Sequence, residues 1–125
     1  MEFIEAPAFT RHLPDYLNDD EYKELQARLG SNPELGDLMP GTGGFRKTRW
    51  ADVRRGKGRR GGLRVVYYHF RSDHQIWLMT LYDDKDEASD LTASQKKALK
   101  ASIESELQAR AARRALGLRG LRRTR

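Results

Sequence analysis

The chain has 125 residues, of which 38% are hydrophobic and 34% are charged, so it has room for one domain with a modest core. It contains no cysteine, which excludes a disulfide framework and a thiolate metal site. No apolar run approaches the roughly 20 residues of a membrane helix, and the first residues lack the apolar core of a signal peptide. We therefore expect a cytoplasmic protein with no membrane partner.

The formal net charge of +6 is divided into blocks. Residues 44–71 hold ten bases and one acid, and residues 109–125 hold seven arginines and no acid, whereas the remaining segments are acidic overall. Concentrated positive charge attracts polyanions, and the phosphate backbone of nucleic acid is the commonest polyanion inside a cell. The pattern therefore favours nucleic-acid binding over solubility alone, which scattered charge would serve as well.

The first half of the chain predicts one strand and two helices. Residues 2–6 read as a short strand, and apolar residues at helical spacing follow over residues 7–17. The clearest helix starts at Asn18 or Asp19, either of which can serve as the N-cap, and we expect it to end at Gly30.

The turn and the strands of the second half follow. Gly-Thr-Gly-Gly at 41–44 fits neither a dinucleotide-binding loop nor a P-loop, so it predicts a tight turn built on glycine's conformational freedom. The hydrophobic period then becomes two, which predicts three antiparallel strands and a glycine-rich basic loop. The strands are expected at 45–53, 63–70 and 75–82, and the loop at 54–62.

A final helix is predicted from the capping box of Thr92 and Gln95, with a buried stripe of Leu99, Ile103 and Leu107. The fold class is therefore α+β: a small antiparallel sheet of about four strands, with two N-terminal helices and one C-terminal helix packed on it. We expect the helices on one face of the sheet and the other face open. The domain covers residues 1–108, and residues 109–125 form a basic tail that is disordered or extends the helix.

Arg64 is the most informative single residue. Strand alternation places it on one face with Val66, Tyr68 and Phe70, and an arginine in a hydrophobic strand is costly unless it meets an anion or solvent. The alternative to a functional role is an ordinary salt bridge. We favour a guanidinium aimed at a phosphate, because the preceding loop also supplies Lys57, Arg59 and Arg60.

Tyr82 and Lys85 follow the last predicted strand. Alternation places Tyr82 on one face with Ile76, Leu78 and Thr80, where it can pack, stack on a base or order a proton. Lys85 can equally form a local ion pair with the surrounding acids.

The three histidines, His12, His69 and His74, lack the spacing of metal ligands, so we expect no metal site and no cofactor. His69 is better explained as a histidine at the edge of the core than as an acid–base group.

Four segments together resemble the RelE/HigB-type toxins of bacterial type II toxin–antitoxin systems, and within them the HigB branch. They are "NPELGDLMPGTGGFRKTRWA", "GKGRRGGLRVVYYHF", "IWLMTLY" and "DLTASQKKALK". The resemblance spans residues 2–104, and its most specific parts are the G-T-G-G-F-R-K block and the R-G-G-L-R-V-V-Y-Y block. Where such toxins usually read Y-A-K-N-E, this chain reads Y-D-D-K-D at 82–86.

The resemblance implies a ribosome-dependent mRNA endonuclease that works without a metal, by attack of a 2′-hydroxyl on the adjacent phosphate. It assigns catalysis to Arg64, Lys57, Tyr82 and Lys85. The other basic and aromatic residues of the region are expected to contact RNA: Arg46, Lys47, Arg49, Arg54, Arg55, Arg59, Arg60 and Tyr68. The implied partners are the ribosome, mRNA and a neutralising antitoxin of the HigA type, a helix-turn-helix protein.

Two other functions stay open at the level of sequence. A ParE-like toxin would share the fold and poison DNA gyrase without cutting RNA. A non-catalytic domain that binds RNA or the ribosome would need only the observed charge.

Overall fold

The computed structural model describes residues 1–50, 62–83 and 91–123, with the side chains of the last helix described as far as residue 117. Its elements in chain order are β1 (Glu2–Glu5), α1 (Pro7–Tyr16), α2 (Asp19–Ser31), β2 (Asp37–Leu38), β3 (Arg46–Trp50), β4 (Leu63–Phe70), β5 (Gln75–Asp83) and α3 (Ala93–Arg123). Within the described ranges, no helix combines the length and apolar character needed to cross a membrane.

The predicted α+β class is confirmed, and the sheet differs from the expected one in two details. It has five strands in the order β1-β5-β4-β3-β2, and β1 runs parallel to β5 while the other pairs are antiparallel. The extra strand, β2, has only two residues, which is too short for any alternating pattern to reveal it. The parallel pairing of β1 could not be predicted either, because the hydrophobic period of a short strand does not depend on its direction.

The starts of α2 and α3 follow the predicted caps. The Asn18 side chain accepts a hydrogen bond from the Glu21 amide, and the Glu21 carboxylate accepts one from the Asn18 amide, each at 2.8 Å. Thr92 and Gln95 form the same reciprocal pair ahead of α3. The predicted end of α2 was wrong: Gly30 lies inside the helix, which continues to Ser31 and is capped by Asn32.

Helices cover both faces of the sheet, so the expectation of an open face was wrong. α1 and α2 pack on one face over Val65, Tyr67 and Leu78, and α3 packs on the other over Val66, Phe70 and Tyr82. The physical reason is visible in β4, whose apolar residues are nearly continuous. Such a strand has two apolar faces to bury, and one helical layer covers only one of them.

A β-bulge interrupts the pairing of β4 with β5. Val66 pairs with Thr80, whereas the next residue, Tyr67, pairs with Leu78, so Met79 is the extra residue on β5. Because side chains alternate with a period of two, one inserted residue reverses the facing of the strand beyond it.

The bulge overturns the predicted common face of four β5 residues. Ile76 and Leu78 lie in the core cluster beneath α1 and α2, and Tyr82 lies in the cluster beneath α3. Tyr82 therefore shares the face of Arg64, with which it pairs directly.

The segment between α2 and β3 is held to the sheet by the Tyr67 hydroxyl. This hydroxyl donates to the Pro33 carbonyl and accepts from the Gly36 amide, each at 2.8 Å. Burial is the main cause that raises the pKa of Tyr67. The approach at Gly36 is close, because a Cβ built there would lie 2.9 Å from the carbonyl carbon and oxygen of Lys47.

The turn at 41–44 is as predicted. Gly41, Gly43 and Gly44 have φ angles of 80°, 79° and 120°, which side chains disfavour. The buried Thr42 hydroxyl donates to the Met39 carbonyl at 2.7 Å and closes the turn.

Two glycines of ordinary backbone conformation, Gly36 and Gly30, give opposite predictions. Gly36→Ala should lower the free energy of unfolding by about 1–3 kcal/mol, because its methyl group has no room against β3. Gly30→Ala should raise it by about 0.5–1 kcal/mol, because its methyl group meets only side-chain atoms at 3.9 Å inside a helix. Urea unfolding of both variants measures the difference. A loss at position 30 or none at position 36 would contradict the packing described.

Candidate functional site

Three adjacent strands place Arg49, Arg64 and Tyr82 in one row across the sheet. Arg64 on β4 pairs with Arg49 of β3 on one side and with Tyr82 of β5 on the other. Directly opposite residues project to the same face with Cβ atoms roughly 5 Å apart. We call this set of three side chains the Arg–Arg–Tyr row.

The row is exposed at one end and buried at the other. Arg49 is exposed, whereas Arg64 is 6% and Tyr82 5% exposed. The Arg64 guanidinium contacts include the carbonyl oxygens of Gly62 at 3.4 Å and of Leu63 at 3.5 Å. Two like charges directly opposite one another are unfavourable, and an anion held between them relieves the repulsion. The basic end of the row is therefore suited to bind a phosphate.

Lys47 adds a further positive charge to the same face. It pairs with Val66, two residues along β4 from Arg64, and it is half-buried. Alternation along β3 thus sends Lys47 and Arg49 to the face of Arg64.

Arg46 lies on the opposite face from the row. It pairs with Tyr67, and its guanidinium donates to the Gly36 carbonyl at 2.8 Å. This contact gives Arg46 a role in holding the α2–β3 segment. Its expected contact with RNA stays a prediction, and the geometry separates it from Lys47 and Arg49.

Tyr68 lies beneath α3 in an aromatic cluster. Its ring packs on Phe45 with centroids 5.4 Å apart and on Phe70 at 4.7 Å. A Cβ at Gly44 would lie 3.0 Å from the Tyr68 ring, so the glycine turn fits against it. Tyr68 is half-buried and lies further along β4 than the row.

A groove of about 280 Å³ adjoins Tyr82. It runs between β5 and the start of α3, and Met79, Leu91 and Leu99 are among its lining residues. The tyrosine thus borders an apolar space beside the row.

The remaining predicted site residues lie outside the described ranges: Arg54, Arg55, Lys57, Arg59, Arg60 and Lys85. Their assignments stay predictions. Among residues 1–50, 62–83 and 91–123, no group of three or more His, Asp or Glu side chains lies where it could hold a metal ion.

His69 lies at the edge of the core opposite Ile76. Burial, followed by the charge of Arg71, lowers the pKa of its imidazole. Its neighbours include an exposed ion pair in which Arg71 donates to Glu34 at 2.8 Å. These surroundings disfavour the charged form of the imidazole and are typical of a histidine at the edge of the core.

Sequence reasoning missed Arg110 of α3. Its guanidinium donates to Asp73 at 2.7 Å, to Gln75 at 2.5 Å and to Glu106 at 2.8 Å. The same group lies 3.7 Å from the centre of the Phe70 ring. Glu106 and Arg110 stand four residues apart, and this spacing was the available signal for a helical ion pair.

No known family model matches the chain. One solved structure to which it is similar is the crystal structure of the isolated E. coli RelE toxin in its P21 form. The TM-score is 0.46 at 14% sequence identity, over 80% of this chain and 96% of that chain. Similarity at this level assigns neither a family nor an activity.

Arg46 and Arg49 are a matched pair, since both are arginines of β3 that face opposite sides of the sheet. Arg46→Gln should lower the free energy of unfolding by about 1–2 kcal/mol through loss of the bond to Gly36. Arg49→Gln should change stability by less than about 0.5 kcal/mol and weaken binding of a short single-stranded RNA. Denaturant unfolding and fluorescence anisotropy check the two effects. If RNA affinity depended on Arg46 and not on Arg49, it would be wrong to assign RNA binding to the face of Arg49 and a structural role to Arg46.

His69 should make the protein less stable in mild acid. Its folded-state pKa lies below the ordinary value of 6.5, so the unfolded chain takes up a proton first as the pH falls. Its contribution is complete above pH 6.5 and is lost as the pH falls toward the lower folded-state pKa. His69→Gln should therefore reduce the loss of Tm between neutral and mildly acidic pH. An unchanged pH dependence would count against an imidazole whose charged form is disfavoured by partial burial.

Proposed function

We propose that the chain is the toxin of a type II toxin–antitoxin pair, of the HigB branch of the RelE/ParE superfamily, and that it cleaves mRNA on the ribosome. The observation that carries the proposal is the Arg–Arg–Tyr row. Two guanidinium groups and a phenol share one face of three adjacent strands, beside the segments whose sequences resemble such toxins.

The reaction needs few groups. The 2′-oxygen of a ribose attacks the neighbouring phosphorus, the bond from phosphorus to the 5′-oxygen breaks, and the products are a 2′,3′-cyclic phosphate and a 5′-hydroxyl. One proton leaves the 2′-hydroxyl and one is delivered to the departing 5′-oxygen. Negative charge increases on the phosphate oxygens during the attack and must be stabilised.

The row supplies side chains that can stabilise the charge on the phosphate and take part in proton transfer. Arg49 and Arg64 hold the two non-bridging phosphate oxygens, and the planar fork of Arg64 can bind both at once. Tyr82 lies on the far side of Arg64, where its hydroxyl can relay a proton or its ring can pack on a base. In the proposal Lys57 and Lys85 complete the catalytic set, and no metal or cofactor takes part.

The burial of Arg64 fits a catalytic role. A guanidinium that is fixed on a central strand and shielded from water interacts more strongly with a phosphate than one in solvent does, and it need not reorganise during the reaction. Exposed Arg49 then marks the side from which the RNA approaches.

The resemblance to such toxins implies the proposed partners, and the charge of the basic face is consistent with them. The ribosome presents mRNA, and an antitoxin of the HigA helix-turn-helix type neutralises the toxin. Acidic groups of that antitoxin would oppose Lys47 and Arg49, which share the basic face. Both partners place the protein in the cytoplasm.

A cell-free translation reaction tests the proposal. The wild-type chain should produce cuts in the mRNA that are phased with codons, and the new 5′ ends can be mapped by primer extension. Arg64→Lys and Tyr82→Phe should each slow cleavage by roughly 100-fold, since one removes the bidentate fork and the other only a hydroxyl. Arg71→Gln is the matched control, because this exposed arginine pairs with Glu34 away from the row.

The remaining outcomes decide between the alternatives. Intact mRNA together with inhibited gyrase supercoiling would overturn the proposal in favour of a ParE-like toxin. Intact mRNA with ribosome binding alone would identify a non-catalytic domain. Thermal unfolding of each variant separates lost chemistry from lost folding, and Tyr82→Phe keeps the packed ring.

A further inference from the structure

The last helix continues well beyond Arg110. Arg110 fixes α3 to Asp73, Gln75 and Phe70, yet the helix extends to Arg123. At 1.5 Å per residue the part beyond Arg110 is about 20 Å long. Every residue of 111–117 is exposed. We call residues 111–123 the C-terminal arm.

The arm carries positive charge that is only partly balanced. No acid follows Glu106 in the chain. Asp73 and Glu106 between them face three arginines, because Arg113 lies 3.4 Å from Glu106 and Arg114 lies 3.8 Å from Asp73, in addition to the bonds of Arg110. The Arg113 and Arg114 side chains are still 64% and 56% exposed. Three further arginines follow within the arm, at positions 119, 122 and 123.

We propose that the C-terminal arm binds the phosphate backbone of double-helical nucleic acid. A groove between two phosphate backbones surrounds a helix with negative charge on more than one side, and the arginine positions match that requirement. At about 100° per residue, positions 114, 119 and 122 fall about 100°, 240° and 180° around the axis from Arg113. Arginines thus occupy positions on all sides of the helix.

The distribution of arginines around the helix argues against binding of the arm to a membrane surface. A helix that lies on lipid needs one continuous apolar face opposite its charged face. In the arm, Leu116 is 63% exposed, and the next leucine, at position 118, lies about 200° around the axis from it, so apolar residues do not gather on one side. Electrostatic attraction to phosphates, without an apolar face, is the pattern of nucleic-acid binding.

The composition of the arm also suits a segment that is stabilised by its ligand. Gly117 and Gly120 each weaken a helix by about 1 kcal/mol relative to alanine. A helix with no packed face depends on propensity alone and is marginal in water. A polyanion that runs along the arm would neutralise its arginines and stabilise the helix.

The C-terminal arm is separate from the Arg–Arg–Tyr row, and it can bind nucleic acid whether or not the protein cleaves RNA. The inference therefore goes beyond the proposed function and can hold where the latter fails. Duplex RNA and duplex DNA share the recognised backbone chemistry, so the experiment includes both.

Fluorescence anisotropy of the full chain with a labelled RNA hairpin, and separately with a DNA hairpin of the same stem, tests the arm. The double variant Arg113→Gln/Arg114→Gln should lose about tenfold in affinity, and its slope of log affinity against log salt should fall by about 2. Lys97→Gln/Lys100→Gln is the matched control: it removes the same charge from exposed positions near the start of α3 and should change affinity less than twofold.

A loss of affinity for either hairpin that is confined to the arm variant supports the proposal. The hairpin that binds more tightly identifies the preferred nucleic acid. Equal losses in the two double variants would overturn it, because net charge alone would then explain binding. Binding to vesicles with anionic lipid but to neither hairpin would also overturn it. Circular dichroism and Tm confirm that each variant is folded.

Discussion

The structure depends on β4 being covered on both faces. Val65 and Tyr67 face α1 and α2, while Val66 and Phe70 face α3, so nearly every position of this strand is committed to burial. A strand with two buried faces must be apolar throughout, and a charged residue in it needs a specific reason. Arg64 is that exception at the start of the strand, held between β3 and β5. The same burial that makes the arginine costly also fixes its position.

The bulge at Met79 determines which side chain stands beside that arginine. Without the inserted residue, Tyr82 would follow Ile76 and Leu78 to the face of α1 and α2. With it, Tyr82 pairs with Arg64 and faces α3. The single inserted residue therefore places the phenol on the same face as the two guanidinium groups. Bulges are commonly found where a side chain must be redirected. The chemistry proposed for the row thus depends on a local irregularity as much as on residue type.

Local signals were predictable from the sequence, and long-range ones were not. The caps of Asn18 and Thr92 and the span of β4 follow from nearest neighbours, and each was predicted. The bulge leaves the composition of β5 unchanged, so strict alternation placed Tyr82 on the wrong face of the sheet, with Ile76 and Leu78. Arg46 looked like one more base in a basic run, because its contact with Gly36 spans a turn that no sequence pattern measures. The second buried face of the sheet was implied by the continuous apolar content of β4, because one helical layer covers only one face of a strand.

The parallel pairing of β1 with β5 has a consequence for folding. Glu2 lies beside Gln75, a separation of 73 residues, so β1 is synthesised well before the strand with which it pairs. At roughly 5–20 residues per second on the ribosome, the wait is on the order of 4–15 s. Until β4 and β5 have both been made, α1 and α2 lack the strands on which they pack, and their apolar stripes stay in water. Closing such a long loop also slows folding relative to the adjacent β4–β5 hairpin. The nascent chain therefore spends seconds with an incomplete core, during which another protein could bind the uncovered helices.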